Sequence, residues 1–355
     1  MTKRSWADDV ILLAHGSGGL LSQELIETIF LPHLGHPDGA LEDATEIDLG
    51  PGRVVMTTDS HVIRPLIFPG GDIGKLAVCG TVNDLAMRGA RPLYLAAGFI
   101  IEEGLPLAEL DRIVASMAET ATDAGVRVVA GDTKVVERGN ADRLFINTAG
   151  VGVVPEGVCI SAADARPGDV VLVSGALGDH GLAIMTQREG LRFDGPAKLG
   201  LSQATLGQSP LRSDCAPLNG LVTDILAAAG RGIHVLRDPT RGGLATALNE
   251  LAIASGVGIS IDELAVPVHD AVRAASELLG LDPLYVANEG KLIAIVAPEA
   301  ADAVHKAMRA HPLGGEAAII GRVTNDHARR VVLRTPLGTH RLLDMLAGEQ
   351  LPRIC

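Results

Sequence analysis

The chain has 355 residues, 47% of them hydrophobic but only 2% aromatic, and a formal net charge of −13. That length allows two domains, each with its own core, built from Ala, Val, Leu and Ile rather than from rings. The acidic balance argues against a nucleic-acid or anionic-membrane surface, which needs clustered Lys and Arg. It remains compatible with a nucleotide whose phosphates are bridged to carboxylates by a metal ion. The cysteines Cys79, Cys159, Cys215 and Cys355 form no C-x-x-C pair, which speaks against a zinc site and a disulfide framework. Asp8 and Asp9 precede a short apolar run over 10–14, unlike a signal peptide. No stretch approaches the ~20 apolar residues of a membrane span. A cytoplasmic protein is the expectation.

In chain order, His15-Gly16-Ser17-Gly18-Gly19 opens a predicted helix over 20–30, where Leu21, Leu25, Ile26 and Ile29 recur at helical spacing. Such a loop is either a simple turn or a place where backbone N–H groups meet an anion. Residues 32–39 read as loop, and a short strand follows 41–44. A strand over 53–59 ends on Asp59, and 65–74 is a Pro/Gly-rich loop. The helix predicted over 75–88 carries Leu76, Cys79, Val82, Leu85 and Ala86 on one face and is stopped by Gly89 and Pro92. Asn83 and Asp84 inside it have poor helical propensity; they line either a solvated face or a site. A strand over 93–101, an amphipathic helix over 106–124, a strand over 126–130 that breaks at Gly131-Asp132-Thr133-Lys134, and a strand over 144–154 follow.

Pro155-Glu156-Gly157 marks the candidate boundary. Beyond it come a buried strand over 170–174, a glycine loop over 175–181, a helix over 182–187 and a polar surface excursion over 192–213. A helix over 218–229 and a strand over 233–236 lead to Arg237-Asp238-Pro239-Thr240-Arg241-Gly242-Gly243 and a helix over 244–254. A strand over 259–261, a helix over 270–279, a strand edge over 284–287, the turn Asn288-Glu289-Gly290, a strand over 292–296, a helix over 298–310 and strands over 319–323 and 331–334 complete the pattern. From about 342 it fades into a tail. Hairpin-like strand runs interrupt the alternation, so two α+β lobes are expected rather than one doubly wound sheet: residues 1–155, residues 156–341, and a mobile tail over 342–355.

Asp43, Asp59, Asp84, Asp132, Asp179 and Asp238 each end an apolar segment or flank a glycine turn. One alone reads as an N-cap or turn residue. Together with Lys75, Lys134 and the glycine loops, they fit a site for Mg²⁺ and a triphosphate, where charge neutralisation and positioning carry most of phosphoryl transfer. The familiar ATP motifs do not match. The stretch ending Gly74-Lys75 has Pro69 and Leu76 where a Walker A loop needs Gly and Ser or Thr, and no G-x-G-x-x-G follows a strand.

Longer motifs stand in order along the chain: Thr57-Thr58-Asp59-Ser60-His61, the run over 69–87 containing Val82-Asn83-Asp84, Gly131-Asp132-Thr133-Lys134, Gly178-Asp179-His180-Gly181, Asp238-Pro239-Thr240-Arg241-Gly242-Gly243, Asn288-Glu289-Gly290 and the ending Pro352-Arg353-Ile354-Cys355. This set resembles the HypE family, the carbamoyl dehydratases of NiFe-hydrogenase maturation, within the superfamily of aminoimidazole ribonucleotide synthetase and selenophosphate synthetase. The resemblance implies a two-lobed PurM-like α+β fold, a homodimer formed through the N-terminal sheet, and ATP bound between the lobes. It implies that the carbamoyltransferase HypF loads a carbamoyl group onto the terminal cysteine, that ATP drives its dehydration to a thiocyanate, and that the cyanide passes to iron on a HypC–HypD complex. By motif match, Asp43, Asp84 and Asp238 are the expected Mg²⁺ ligands. Asp59, Asp132, Gly18, Gly19, Lys75 and Asn83 are expected at the nucleotide, with ATP and Mg²⁺ as cofactors. Lys134 is expected to hold the transferred phosphoryl group or polarise the carboxamide, Glu289 to act as base and Cys355 to carry the substrate. His180 and His234 are weaker candidates for the base, and Cys79 reads as a core residue. The α-carboxylate beside the Cys355 thiol should raise its pKa above the usual ~8.5, and Arg353 could offset that charge. A superfamily enzyme acting on a free small molecule and a non-catalytic thiol carrier remain alternatives. The terminal cysteine argues against the first and the dispersed carboxylates against the second.

Overall fold

The computed structural model describes residues 10–16, 20–35, 48–188, 211–345 and 354. Gly18, Gly19, Asp43, most of the polar stretch 192–213, Arg353 and Cys355 lie outside the described residues. At the N-terminal side, α1 (Leu20–Leu25) runs through a wider turn, Ile26–Phe30, into α2 (Leu31–Leu34). The helix thus passes the expected stop at Pro32, because a proline in a helical first turn removes no needed hydrogen bond.

The first lobe is a four-stranded sheet. It comprises β1 (Arg53–His61), β4 (Arg91–Glu102), β5 (Arg127–Val136) and β6 (Leu144–Val154) in the order β1-β6-β4-β5. A small hairpin, β2 (Ile67–Phe68) and β3 (Gly71–Asp72), lies within the Pro/Gly-rich loop and leads into α3 (Ile73–Met87). The link from β4 to the parallel β5 is α4 (Leu107–Asp123). β5 does not break at Gly131. It stays paired with β4 as far as Val136, since the β-branched Thr133, Val135 and Val136 favour continuing the strand.

One face of this sheet packs on α3, and Asp72 caps the helix by accepting a hydrogen bond from the Lys75 N–H. Almost the whole circumference of α3 is buried, Asn83 included, which corrects the idea of a solvated face at that position. On the opposite face of the sheet Val54, Met56 and Ile100 are exposed among the described residues.

The second lobe is a seven-stranded, largely antiparallel sheet. Its strands are β7 (Val170–Val173), β8 (Ile233–Arg237), β9 (Gly258–Asp262), β10 (Ile293–Val296), β11 (Ala318–Thr324), β12 (Val331–Arg334) and β13 (His340–Leu342), in the order β13-β12-β9-β11-β7-β10-β8. β7 and β10 are buried at every residue, as apolar runs covered on both faces must be. α7 (Gly243–Ser255) packs with one apolar layer, and α6 (Asn219–Ala229) and α9 (Ala301–Ala310) with the other. α5 (Asp179–Arg188) and α8 (Asp270–Leu279) pair in a smaller cluster. The strand edge expected over 284–287 is instead a 3-10 turn, Pro283–Tyr285. Pro283 fits its first turn, and the Asp282 side chain accepts from the Leu284 N–H. β13 is an addition that its short, fully exposed sequence does not announce.

Candidate active site

The alternation of β1 sends Thr57, Asp59 and His61 toward α3. Thr57 Oγ1 donates to Asp84 Oδ2 at 2.9 Å. Four residues before Asp84 stands Gly80. A Cβ there would lie 3.0 Å from both Asp59 Oδ2 and His61 Cε1, so the missing side chain lets these groups reach the helix. Asp238, at the end of β8, adds a carboxylate from the second lobe. Burial pushes Asp238 up to about 7, and the neighbouring charges of Asp84 and Asp59 push the same way. Asp84 is also raised, chiefly by burial, against the pull of its Thr57 hydrogen bond.

Glu289 completes the group. It is 4% exposed. Burial, then the charges of Cys215, Asp238, Asp214 and Asp59, hold its carboxyl well above the usual carboxylate range. Each residue of Asn288-Glu289-Gly290 is fixed by a specific contact. Asn288 Oδ1 accepts from the Gly178 N–H at 2.7 Å, and its Nδ2 donates to Pro239 O at 3.1 Å. The Glu289 N–H donates to Asp214 Oδ1 at 3.0 Å. At Gly290 a Cβ would fall 1.8 Å from the Asp214 carbonyl oxygen, so only glycine fits. Asn83 reaches across from α3: Nδ2 donates to Ala216 O (3.1 Å) and Glu289 O (3.2 Å), and Oδ1 accepts from the Leu218 N–H (2.7 Å). Both of its N–H donors are therefore engaged by protein carbonyls, and its contribution here is to place Glu289.

Asp214 was not singled out from the sequence. It holds the Glu289 backbone, and its other oxygen lies 3.3 Å from Lys291 Nζ. The available signal was an acid directly before Cys215, a residue that proves to be core. Cys79 is core as well, and its hydrogen bond with Cys215, reinforced by burial, pushes the Cys215 thiol up.

The remaining candidates are placed as follows. Lys75, at the start of α3, donates from Nζ to Gly70 O at 3.2 Å. Lys134 Nζ lies 2.7 and 2.8 Å from the two Asp132 oxygens, and that hydrogen bond holds Asp132 low. Asp132 pairs in register with Gly98, Gly98 with Asn147, and Asn147 with Ser60. The pair therefore lies on the exposed sheet face, opposite Asp59, and a single chain does not bring it to the buried carboxylates. His234 bonds Asp169 at 2.8 Å, at the far end of β8 from Asp238. His180 touches the tail: its Nε2 is 2.5 Å from the Ile354 carbonyl oxygen, and Ile354 itself is buried.

The donor set suits a hard cation. It is all oxygen, and burial together with mutual repulsion favours the protonated forms of Asp84, Asp238 and Glu289. Among the described residues no group of three His, Cys, Asp or Glu side chains is arranged to hold a metal ion by itself.

The two domains described as AIR synthase related protein, N-terminal and C-terminal, match residues 41–154 and 166–334. Across its whole length the chain is 56% identical to the full carbamoyl dehydratase HypE of Azotobacter vinelandii. It belongs to the HypE family of carbamoyl dehydratases. The HypE of Escherichia coli K12 is 48% identical over 97% of this chain and 99% of that protein. A crystal structure of HypE in complex with ATP superposes with a TM-score of 0.90 at 51% identity, over 97% of this chain and 99% of that one. A structure of a HypE–HypF complex matches at 0.77 and 47% identity, over 93% of this chain and all of that one. A thiamine monophosphate kinase from Stenotrophomonas maltophilia, 20% identical with a TM-score of 0.59 over 80% of this chain and 85% of its own, shares the fold.

Proposed function

We propose that this HypE-family chain uses ATP to dehydrate an S-carboxamide on its own Cys355 to a thiocyanate, the source of cyanide for the iron of a NiFe-hydrogenase. The observation that carries this reading is the burial of Ile354, the residue bonded to Cys355, in the packed cluster that also contains Cys215 and Ala287, the residue preceding Asn288-Glu289-Gly290 in the chain. The ATP complex of the HypE relative supports the nucleotide.

An amide oxygen is a poor leaving group, and phosphorylation makes it a good one. The γ-phosphoryl group of ATP goes to the carboxamide oxygen, leaving ADP. The C–O bond then breaks, the nitrogen loses both protons, the C≡N bond forms, and the oxygen leaves within inorganic phosphate. Glu289 is the base: burial raises the proton affinity of its carboxylate above that of a solvated one, so the ionised form accepts a proton more strongly. Asn83 and Asp214 hold its backbone in place. Attachment to the chain gives the substrate a high effective concentration, so no pocket for a free acid is needed. Asp59, Asp84 and Asp238, with Asp43, would hold Mg²⁺, and the cation would supply charge neutralisation to the phosphates. Gly18, Gly19 and Lys75 are the further candidates for contact with the nucleotide.

The sheet face with Val54, Met56 and Ile100 is read as the homodimer surface, which would also place Lys134 and Asp132 at the subunit boundary, where Lys134 holds the phosphoryl group. HypF is the carbamoyl donor, as the HypE–HypF complex of the relative supports; a HypC–HypD complex is the acceptor. No described helix is long and apolar enough to cross a membrane, and the cytoplasm is the proposed location.

The test is intact mass. Protein carbamoylated by the transferase and freed of nucleotide should show one added carbamoyl group, then lose one water when ATP is supplied. A Cys355→Ala chain that showed both changes would overturn the proposal.

A further inference from the structure

The tail contact contains a directed chain of hydrogen bonds. The Ile354 carbonyl can only accept, so His180 Nε2, 2.5 Å away, carries the proton. Burial lowers the His180 pKa and keeps the ring neutral, so Nδ1 is an acceptor. Ser213 Oγ, 2.8 Å from Nδ1, is then its donor, and Ser213 Oγ in turn accepts from the Cys215 N–H at 3.1 Å. Direction is thereby fixed from the Cys215 amide through Ser213 and His180 to the peptide bond that joins Ile354 to Cys355. Ser213 is anchored separately, its N–H donating to Pro69 O at 2.8 Å. Phe68 stands edge-on to the His180 ring at 5.6 Å. The imidazole therefore has one orientation, and the Ile354 side chain is buried in the apolar cluster that includes Phe68, Ile184, Cys215 and Ala287.

We infer that His180, oriented by Ser213, is the positioning residue for the tail, and that together with the Ile354 pocket it forms a docking site for a C-terminal peptide read at its penultimate residue. Recognition falls on a backbone carbonyl and an aliphatic side chain, not on the sulfur. The dock therefore accepts the same tail whether Cys355 is a free thiol, an S-carboxamide or a thiocyanate. Discrimination among these states is left to the site beyond it. This deepens the dehydration reading and rests on it for its purpose, though not for its geometry.

A polyethylene-glycol maleimide tests it, with the exposed Cys159 as internal reference and Cys79 and Cys215 buried. His180→Phe keeps the ring volume and removes the donor. Cys355 should then label about tenfold faster relative to Cys159, the size of one lost buried hydrogen bond. His180→Gln, which can present an N–H at the Nε2 position, should return the rate toward that of the native chain. Ile354→Ala should raise it at least as much as His180→Phe. If His180→Phe fails to fold, Ser213→Ala serves instead and should raise labelling a few-fold. Native-rate labelling of Cys355 in a folded His180→Phe or Ser213→Ala chain, or no rescue by Gln, overturns the inference. The assay needs neither ATP nor a carbamoyl donor. A failed dehydration reading therefore leaves the labelling contrast intact, and a failed dock leaves the loss of water intact.

Discussion

The side-chain amide of Asn83, on the central helix of one lobe, donates to the backbone carbonyl of Glu289 in the other at 3.2 Å. The same side chain also ties down Ala216 and Leu218, so one buried residue clamps the lobes together at the candidate base. Asn83→Ala leaves the Leu218 N–H and two carbonyls without these partners. A loss of about 2–4 kcal/mol is expected, read as a lower urea midpoint, together with slower ATP-dependent dehydration. An unchanged midpoint would mean that water replaces all three bonds.

Glu289→Gln separates stability from chemistry. Burial favours the neutral carboxyl, which Gln imitates in shape. At pH 8 the variant should therefore be at least as stable as the native chain. Without a base, loss of water from the carbamoylated protein should slow at least ~100-fold. Dehydration within a few-fold of native would transfer the role to another group.

Asp238 gives a pH dependence with a definite sign. It ionises at about 7 in the folded chain and at about 3.9 in an unfolded one. Between those values the folded chain holds a proton that the unfolded chain has released. Stability therefore falls as pH rises from about 4 to 7 and levels off above. Asp238→Asn lacks this fall, so its thermal midpoint should exceed the native one at pH 8 and match it more closely at pH 5. Mg²⁺ added at pH 8 should raise the native midpoint and leave that of the Asn variant unmoved. An equal shift in both would remove Asp238 from the ligand set.

Gly80→Ala probes the approach of β1 to α3. Alanine favours the helix by roughly 0.8–1 kcal/mol, yet its Cβ meets Asp59 and His61 at 3.0 Å. Stability should change little while the Asp59 carboxylate is displaced. Nucleotide affinity, measured by calorimetry, should fall about tenfold. Unaltered affinity would show that Asp59 is not needed where it stands.

The separation between legible and hidden features has a physical pattern. Strands such as β6 and β12, and helix α8, follow from apolar periodicity because each buries one face or is fully enclosed. Asp59, Asp84, Asp238 and Glu289 were visible as carboxylates within distinct motifs, each alone readable as a cap, turn or surface residue, and they gather from both lobes. What was hidden depends on tertiary contact. The continuation of β5 through Gly131 is set by its pairing with β4. Asp214 matters only because residue 289 comes to it. Asn83 read as either a solvated helix position or a site residue, and its three partners come from the second lobe. The exposed position of Lys134 and Asp132 likewise follows from register, which one-dimensional patterning does not reveal.

Met56 offers the sharpest test of assembly. It is 71% exposed on the sheet face opposite α3, and Met56→Arg puts a charge there without disturbing the core. The isolated chain should keep its thermal stability, since exposed substitutions away from special contacts cost little. A self-complementary two-fold interface would receive the charge twice, once from each subunit. Sedimentation velocity should then show the dimer dissociating at protein concentrations at least ~10-fold higher than for the native chain. If Lys134 serves a site at that boundary, dehydration should fall with the fraction of dimer and recover as concentration is raised. A Met56→Arg chain that sediments as the native one does would move the interface elsewhere and leave the exposed Lys134–Asp132 pair without a route to the buried carboxylates.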